Sequence, residues 1–320
     1  MDEPGSTDPG YAACGRSSRV LKLAPYAVSV ALLVTIALYS DGFRVAARAR
    51  WDWLALAIAM SLVLNIGLAA FKLWVLLRAY GLPVALGRVV RMIAGLLPAT
   101  FFMPFQSGHL LYPAALKGGE AIDTVVAFEC IAFDKYLTLM GTFVLVLAGW
   151  LLLPGGHFLK VFWVPLAAVA AVSTLWLGRP IRAVMRRLKI LRERSMVLDH
   201  PLGTPRKLAL LGMAAVYQAT DMTTMYLACR ALGIDIDPML VFGAFPVLLL
   251  LTYAPVTISG LGIREPLVAL FFAGAMKPDL GIGVGLLIDL VEYAIPALVG
   301  IVALPPLLRA LRASFGRTPP

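Results

Sequence analysis

Charge is scarce in this chain: Asp, Glu, Lys and Arg together make up 14% of its 320 residues, against 60% hydrophobic residues. With a mean hydropathy of +0.86, that deficit excludes an ordinary soluble globular domain. Cysteine is nearly missing too. Cys14, Cys130 and Cys229 have no pair spacing for a disulfide framework or a thiolate metal site. The three histidines, His109, His157 and His200, are scattered, and without HExxH or CxxC no metal site is expected. No GxxxxGK[ST] loop occurs, so direct ATP use is not expected. No cofactor and no catalytic residue are therefore expected, and the chain is read as a non-enzyme.

The net charge of +10 does not point to nucleic acid, because the basic residues form no soluble patch. Between Arg179 and Lys207 nine basic residues face only Glu193 and Asp199, leaving +7 in one stretch. Such a loop stays cytoplasmic and attracts anionic headgroups.

What is present in abundance is apolar sequence. Hydropathy places spans near 21–40, 53–72, 122–153, 161–178, 207–229 and 281–305, each about 20 residues or longer as a bilayer requires. The expected organisation is a disordered cytoplasmic tail over 1–19, one transmembrane domain over 20–310 and a cytoplasmic tail over 311–320. With the 179–207 loop inside, both termini lie in the cytoplasm, and Lys72, Arg78, Arg88 and Arg91 support an inside location for 73–91. The expected location is the cell membrane, of the bacterial inner-membrane type.

Two further apolar regions are broken. Pro98, Pro104, Gly108 and Pro113 interrupt 88–116, and Pro246, Pro255, Gly260, Gly262 and Pro266 interrupt 238–276. Their unbroken pieces are too short to span, so both read as re-entrant or broken-helix hairpins. The "RAYGLPVALGRVV" at Arg78 resembles "RALGIDIDPMLVF" at Arg230, an offset of 152 that also carries Ser107-Gly108 onto Ser259-Gly260. The predicted fold is accordingly an all-α polytopic membrane protein with inverted repeats, about 53–153 and 207–305, each holding one hairpin, as in transporters.

Non-helical backbone at membrane depth must line protein or a water-filled cavity. A half-helix starting near Ile263 would aim its positive end and Arg264 at an anionic group, with Ser259, Gly260, Gly262 and Glu265 beside it. Ser107, Gly108, His109 and Tyr112 would supply neutral groups from the first hairpin. Ionisable residues inside spans are costly and expected to be paired. Glu129, Asp134, Lys135, Asp221, Asp289 and Glu292 are the candidates, and Tyr293 shares a face with Asp289 and Glu292 by i, i+3, i+4 spacing. These carboxylates balance charge or relay protons on the functional reading, and hold helices together on the bland one.

"APVTISGLGIREPLVALFFAG" resembles the closing signature of the lysylphosphatidylglycerol synthase transmembrane region, a flippase-like family with a Gly-x-Gly-[Val/Ile]-Arg-Glu segment that Gly260, Gly262, Ile263, Arg264 and Glu265 fit. "MPFQSGHLLYPAALKGG" followed by "AFECIAFDKYLTL" resembles the family's first-half pattern. The resemblance covers roughly residues 20–310 and implies movement of a lipid between leaflets, here without the soluble aminoacyl-transferase domain of the full synthases. The leading expectation is a flippase or transporter for an anionic or isoprenoid-linked lipid. Its partners would be membrane lipids, with a homo-oligomer or a lipid-biosynthesis enzyme as further partner. The alternatives are a non-transporting subunit that recruits a lipid-modifying enzyme and, more remotely, an intramembrane enzyme using Ser259 and His109.

Overall fold

The computed structural model describes residues 9–117, 122, 124–152, 202–252 and 257–315. Among them every regular element is helical. The expected span at 161–178 and most of the basic 179–207 loop lie outside the described residues.

Helix α1 (Pro9–Tyr39) takes in residues 9–19 of the segment expected to be disordered. After the short α2 (Gly42–Ala46) a long rod follows, made of α3 (Trp51–Leu62), a π turn (Val63–Leu68) and α4 (Ala69–Ala79). Helix α5 (Leu86–Phe102), a 3-10 segment (Pro104–Leu111) and α6 (Tyr112–Lys117) come next, before the long α7 (Thr124–Leu152). The described residues resume at 202. From there follow long α8 (Thr204–Ala231), shorter α9 (Pro238–Thr252), a turn, short α10 (Arg264–Phe271), and a closing rod of α11 (Pro278–Ile288), a π turn (Asp289–Ala294) and α12 (Ile295–Phe315).

Among the described residues three stretches, Trp51–Ala79, Val125–Ala148 and Pro278–Arg309, are long and apolar enough to cross a membrane. Ala24–Tyr39 and Pro238–Thr252 are apolar but shorter. The expected span at 207–229 is helical but is not apolar enough to stand with the three. Gln218, Asp221 and a run of threonines dilute it, and such a helix suits a membrane only when protein surrounds it.

The breaks have local causes. Tyr80 and Leu232 end their helices in the same way: Gly81 N–H donates to Arg78 O and Leu82 N–H to Leu77 O, while Gly233 N–H donates to Arg230 O and Ile234 N–H to Cys229 O, all at 2.9–3.0 Å. Both glycines sit at positive φ, 75° and 73°, which only glycine adopts without strain in this helix-ending motif. The two stops are 152 residues apart, the offset noted above.

Among the described residues the core has two large clusters and a small one of Val146 and Val247. One large cluster gathers side chains from α4 through α7 together with Leu202, Leu210 and Ala214. The other gathers the C-terminal half of α8 through the closing rod, together with Leu54 and Ala57. Each half's leading rod thus starts in the other half's core and ends in its own. Helix α5 lies along α12, and α9 along α7.

Candidate functional site

A cavity of about 770 Å³ lies between the two cores. Lys72 from α4, and Asp134 and Lys135 from α7, line one side with His109 and Tyr112; Asp221 from α8 and Glu292 and Tyr293 from the closing rod line the other. Ser259 and Gly260 of the second break complete the wall.

Lys72, expected to mark the edge of a cytoplasmic loop, lies two turns inside the rod, 3% exposed. Its Nζ sits 3.1 Å from Asp134 Oδ1, donates to the Thr138 hydroxyl and lies over the Tyr217 ring at 5.1 Å. A buried ammonium needs such company, because an unpaired charge in this medium costs several kcal/mol, of order 3–5. Asp134 also faces Lys135 at 4.0 Å, so two lysines share one carboxylate. Lys135 keeps 41% of its side chain exposed.

The Arg264 guanidinium does not line the cavity. It pairs with Asp289, donates 3.0 Å to Ser259 O and stacks against the Tyr293 ring at 4.3 Å. At 1% exposure it is walled off, with Tyr293 between it and the open space. Consecutive helical residues diverge by about 100°, and so Glu265 goes elsewhere: its carboxylate accepts from the Gly262 N–H at 2.9 Å and clasps the turn. The ion-pair partner of Arg264 is thus Asp289 and not the adjacent Glu265.

The closing rod also departs from expectation. Asp289, Glu292 and Tyr293 lie in a π turn and not in regular α-helix, and π turns recur at functional sites because they free backbone groups and re-aim side chains. Asp289 and Tyr293 both meet Arg264 while Glu292 reaches the cavity. The freed carbonyls are taken from across the molecule. Ser61 Oγ donates to Val291 O at 2.7 Å and Asn65 Nδ2 to Glu292 O at 3.4 Å, joining the two π turns. On the opposite side Gln218 Nε2 donates to Thr142 Oγ1 at 2.7 Å and ties α8 to α7.

The tips of the two breaks touch. Ser259, at φ 50°, donates its hydroxyl to Phe101 O at 3.1 Å, a carbonyl left without a helical partner at the end of α5. Its hydroxyl thus goes to backbone and not to His109, which lacks the nucleophile–base geometry of a serine hydrolase. His109 packs edge-on against Tyr112 at 5.1 Å, and its Nδ1 has no partner. Helix α1 straps both tips: Tyr26 donates its hydroxyl to Phe102 O at 2.7 Å and Ser29 Oγ accepts from Ile258 N at 2.9 Å.

Of the residues anticipated from sequence, the fold gathers His109, Tyr112, Asp134, Lys135, Asp221, Ser259, Gly260, Glu292 and Tyr293 around the cavity. Arg264, Glu265, Gly262 and Asp289 form a second layer behind it. Gly108 is seated on the α5 backbone at Ala99 and Thr100, and Glu129 is buried in α7 away from the cavity wall. The Ser107 side chain lies outside the described residues. Lys72, Thr138, Gln218 and Thr257 were missed; a lysine inside an apolar helical run was the one signal that could have flagged the first.

A family model described as Lysylphosphatidylglycerol synthase TM region matches residues 20–300. No curated protein matches the chain.

Proposed function

The chain belongs to the lysylphosphatidylglycerol synthase TM region family, and on that premise we propose that it moves a phosphate-bearing lipid between leaflets, the headgroup passing through the cavity while the acyl or isoprenoid chains stay in the bilayer. The observation that carries this reading is a cavity lined by lysines and carboxylates inside a membrane protein. Empty apolar packing needs no such groups, and ionisable residues at this depth mark a pathway or site. Lys135, with part of its ammonium side exposed, and Lys72 form the end suited to a phosphate, with His109 beside them.

Inverted repeats fit the same reading. The matching element order, the twin glycine stops at Gly81 and Gly233 and the crossed cores support two halves of one ancestry, with the α5 and α9 breaks as re-entrant hairpins meeting tip to tip. On this reading the termini are cytoplasmic and the protein sits in the cell membrane as a transporter and not an enzyme.

The test is reconstitution of the full chain into vesicles containing fluorescently labelled phosphatidylglycerol, with an impermeant quencher reporting label in the outer leaflet. Faster exchange than in protein-free vesicles, slowed by Lys135→Gln, is the expected result. Exchange no faster than in protein-free vesicles, across labelled anionic and isoprenoid-phosphate lipids, would overturn it.

A further inference from the structure

The lysine side of the cavity is only half of it. Opposite lie Asp221 on α8 and Glu292 in the second π turn, two carboxylates that repel one another. Glu292 is 6% exposed and its Oε1 has no hydrogen-bond partner. Thr257 adds a hydroxyl to the same wall, 3% exposed and also without a partner. Two unpartnered oxygens, Glu292 Oε1 and Thr257 Oγ1, face a space that Asp221 also lines, and buried acceptors are otherwise paired, so the wall calls for something positive or donating.

The cations near them are already committed. Arg264 attracts both carboxylates but is engaged by Asp289, and Lys72 attracts Asp221 but is engaged by Asp134. Lys135 lies beside Asp134, and His109 sits across the cavity; among the described residues no further charged group lines it. Nor do three His, Cys, Asp or Glu side chains come together among those residues as a metal ion would require. A proton satisfies the wall with the least: once one of the two acids is protonated, two like charges lining the cavity become one.

We propose that Asp221 and Glu292 form the coupling site of this protein, a carboxylate pair that takes up one proton from cavity water and gives it back on the other side, so that an anionic headgroup enters with a proton. This rests on the translocation reading above. The physics is direct. With both carboxylates ionised, a phosphate at Lys135 faces two negative charges across the cavity; with one proton bound it faces one. Loading the pair also withdraws a competitor for Lys72 and for Arg264, tightening Lys72–Asp134 in one half and Arg264–Asp289 in the other. The proton is thereby felt by both halves at once.

Two measurements decide it. Infrared difference spectra of the purified full chain in detergent, recorded between acid and alkaline buffer, should contain a protonated-carboxyl band that weakens in Glu292→Gln and in Asp221→Asn. In vesicles with labelled phosphatidylglycerol, a gradient of one pH unit should shift the leaflet distribution of the lipid by about tenfold if one proton accompanies each lipid, and by about onefold in Glu292→Gln. An equal sodium gradient should shift nothing. A spectrum without the band in the wild-type chain, lipid exchange indifferent to the pH gradient, or exchange driven by sodium overturns the proposal while leaving translocation standing. If no lipid moves at all, translocation is what fails, and the infrared band alone still decides whether the pair holds a proton.

Discussion

At the scale of single residues, the governing fact is that charges buried in a membrane protein are held in pairs. Arg264 and Asp289 are nearly inaccessible, and each neutralises the other's charge. Asp289→Asn leaves a guanidinium in a dry site and is expected to cost about 3–5 kcal/mol, whereas the double change Arg264→Met with Asp289→Leu should recover most of that loss. Thermal melting in detergent checks it: a double variant no more stable than the single would mean that the pair contributes something beyond mutual neutralisation. Arginine in a broken apolar segment was legible from sequence as a residue needing a partner. Its direction was not legible, because a neighbour at i+1 and one 25 positions away are equally available until the chain folds. The outcome turned Arg264 from the presumed headgroup ligand into a buried brace behind Tyr293, and gave the cavity Lys72 in its place.

At the scale of elements, breaks and turns were readable while their tertiary satisfaction was not. Pro104 announced where α5 would stop, whereas Pro98 and Pro246, also expected to interrupt, lie inside α5 and α9; the breaks leave backbone groups that lipid cannot serve. The structure answers with α1: Ser29 accepts the Ile258 N–H, and Tyr26 donates to Phe102 O. Ser29→Ala should orphan that amide at a cost of about 1–3 kcal/mol, with hydrogen exchange at the second tip accelerating while exchange in α7 and α8 stays unchanged. Unaltered exchange at Ile258 would show that α1 merely rests there. The π turns are the other element that sequence did not disclose. "VLNIGL" and "DLVEYA" differ little from ordinary helix in propensity, and it is the mutual contact of Ser61 and Asn65 with Val291 and Glu292 that makes the widened turns worthwhile.

At the scale of the whole molecule, the halves are not independent. Leu54 and Ala57 of the first rod belong to the second core, and Leu210 and Ala214 of α8 belong to the first, so either half alone would expose apolar surface that its partner covers. Fragments 1–200 and 201–320 expressed separately are expected to be degraded, and co-expressed to copurify as one complex; a stable, monodisperse single fragment would contradict this. Sequence alone determined that the chain is a helical membrane protein and which acidic residues would be driven to find partners, because hydropathy and charge burial act over a few neighbouring residues. Only the tertiary structure decided that Lys72 and not Arg264 opens onto the cavity, that Asp221 confronts Glu292, and that each core borrows a rod from the other half. Those pairings join residues far apart in the chain, and the low-dielectric interior that makes them strong does not exist until the helices have packed.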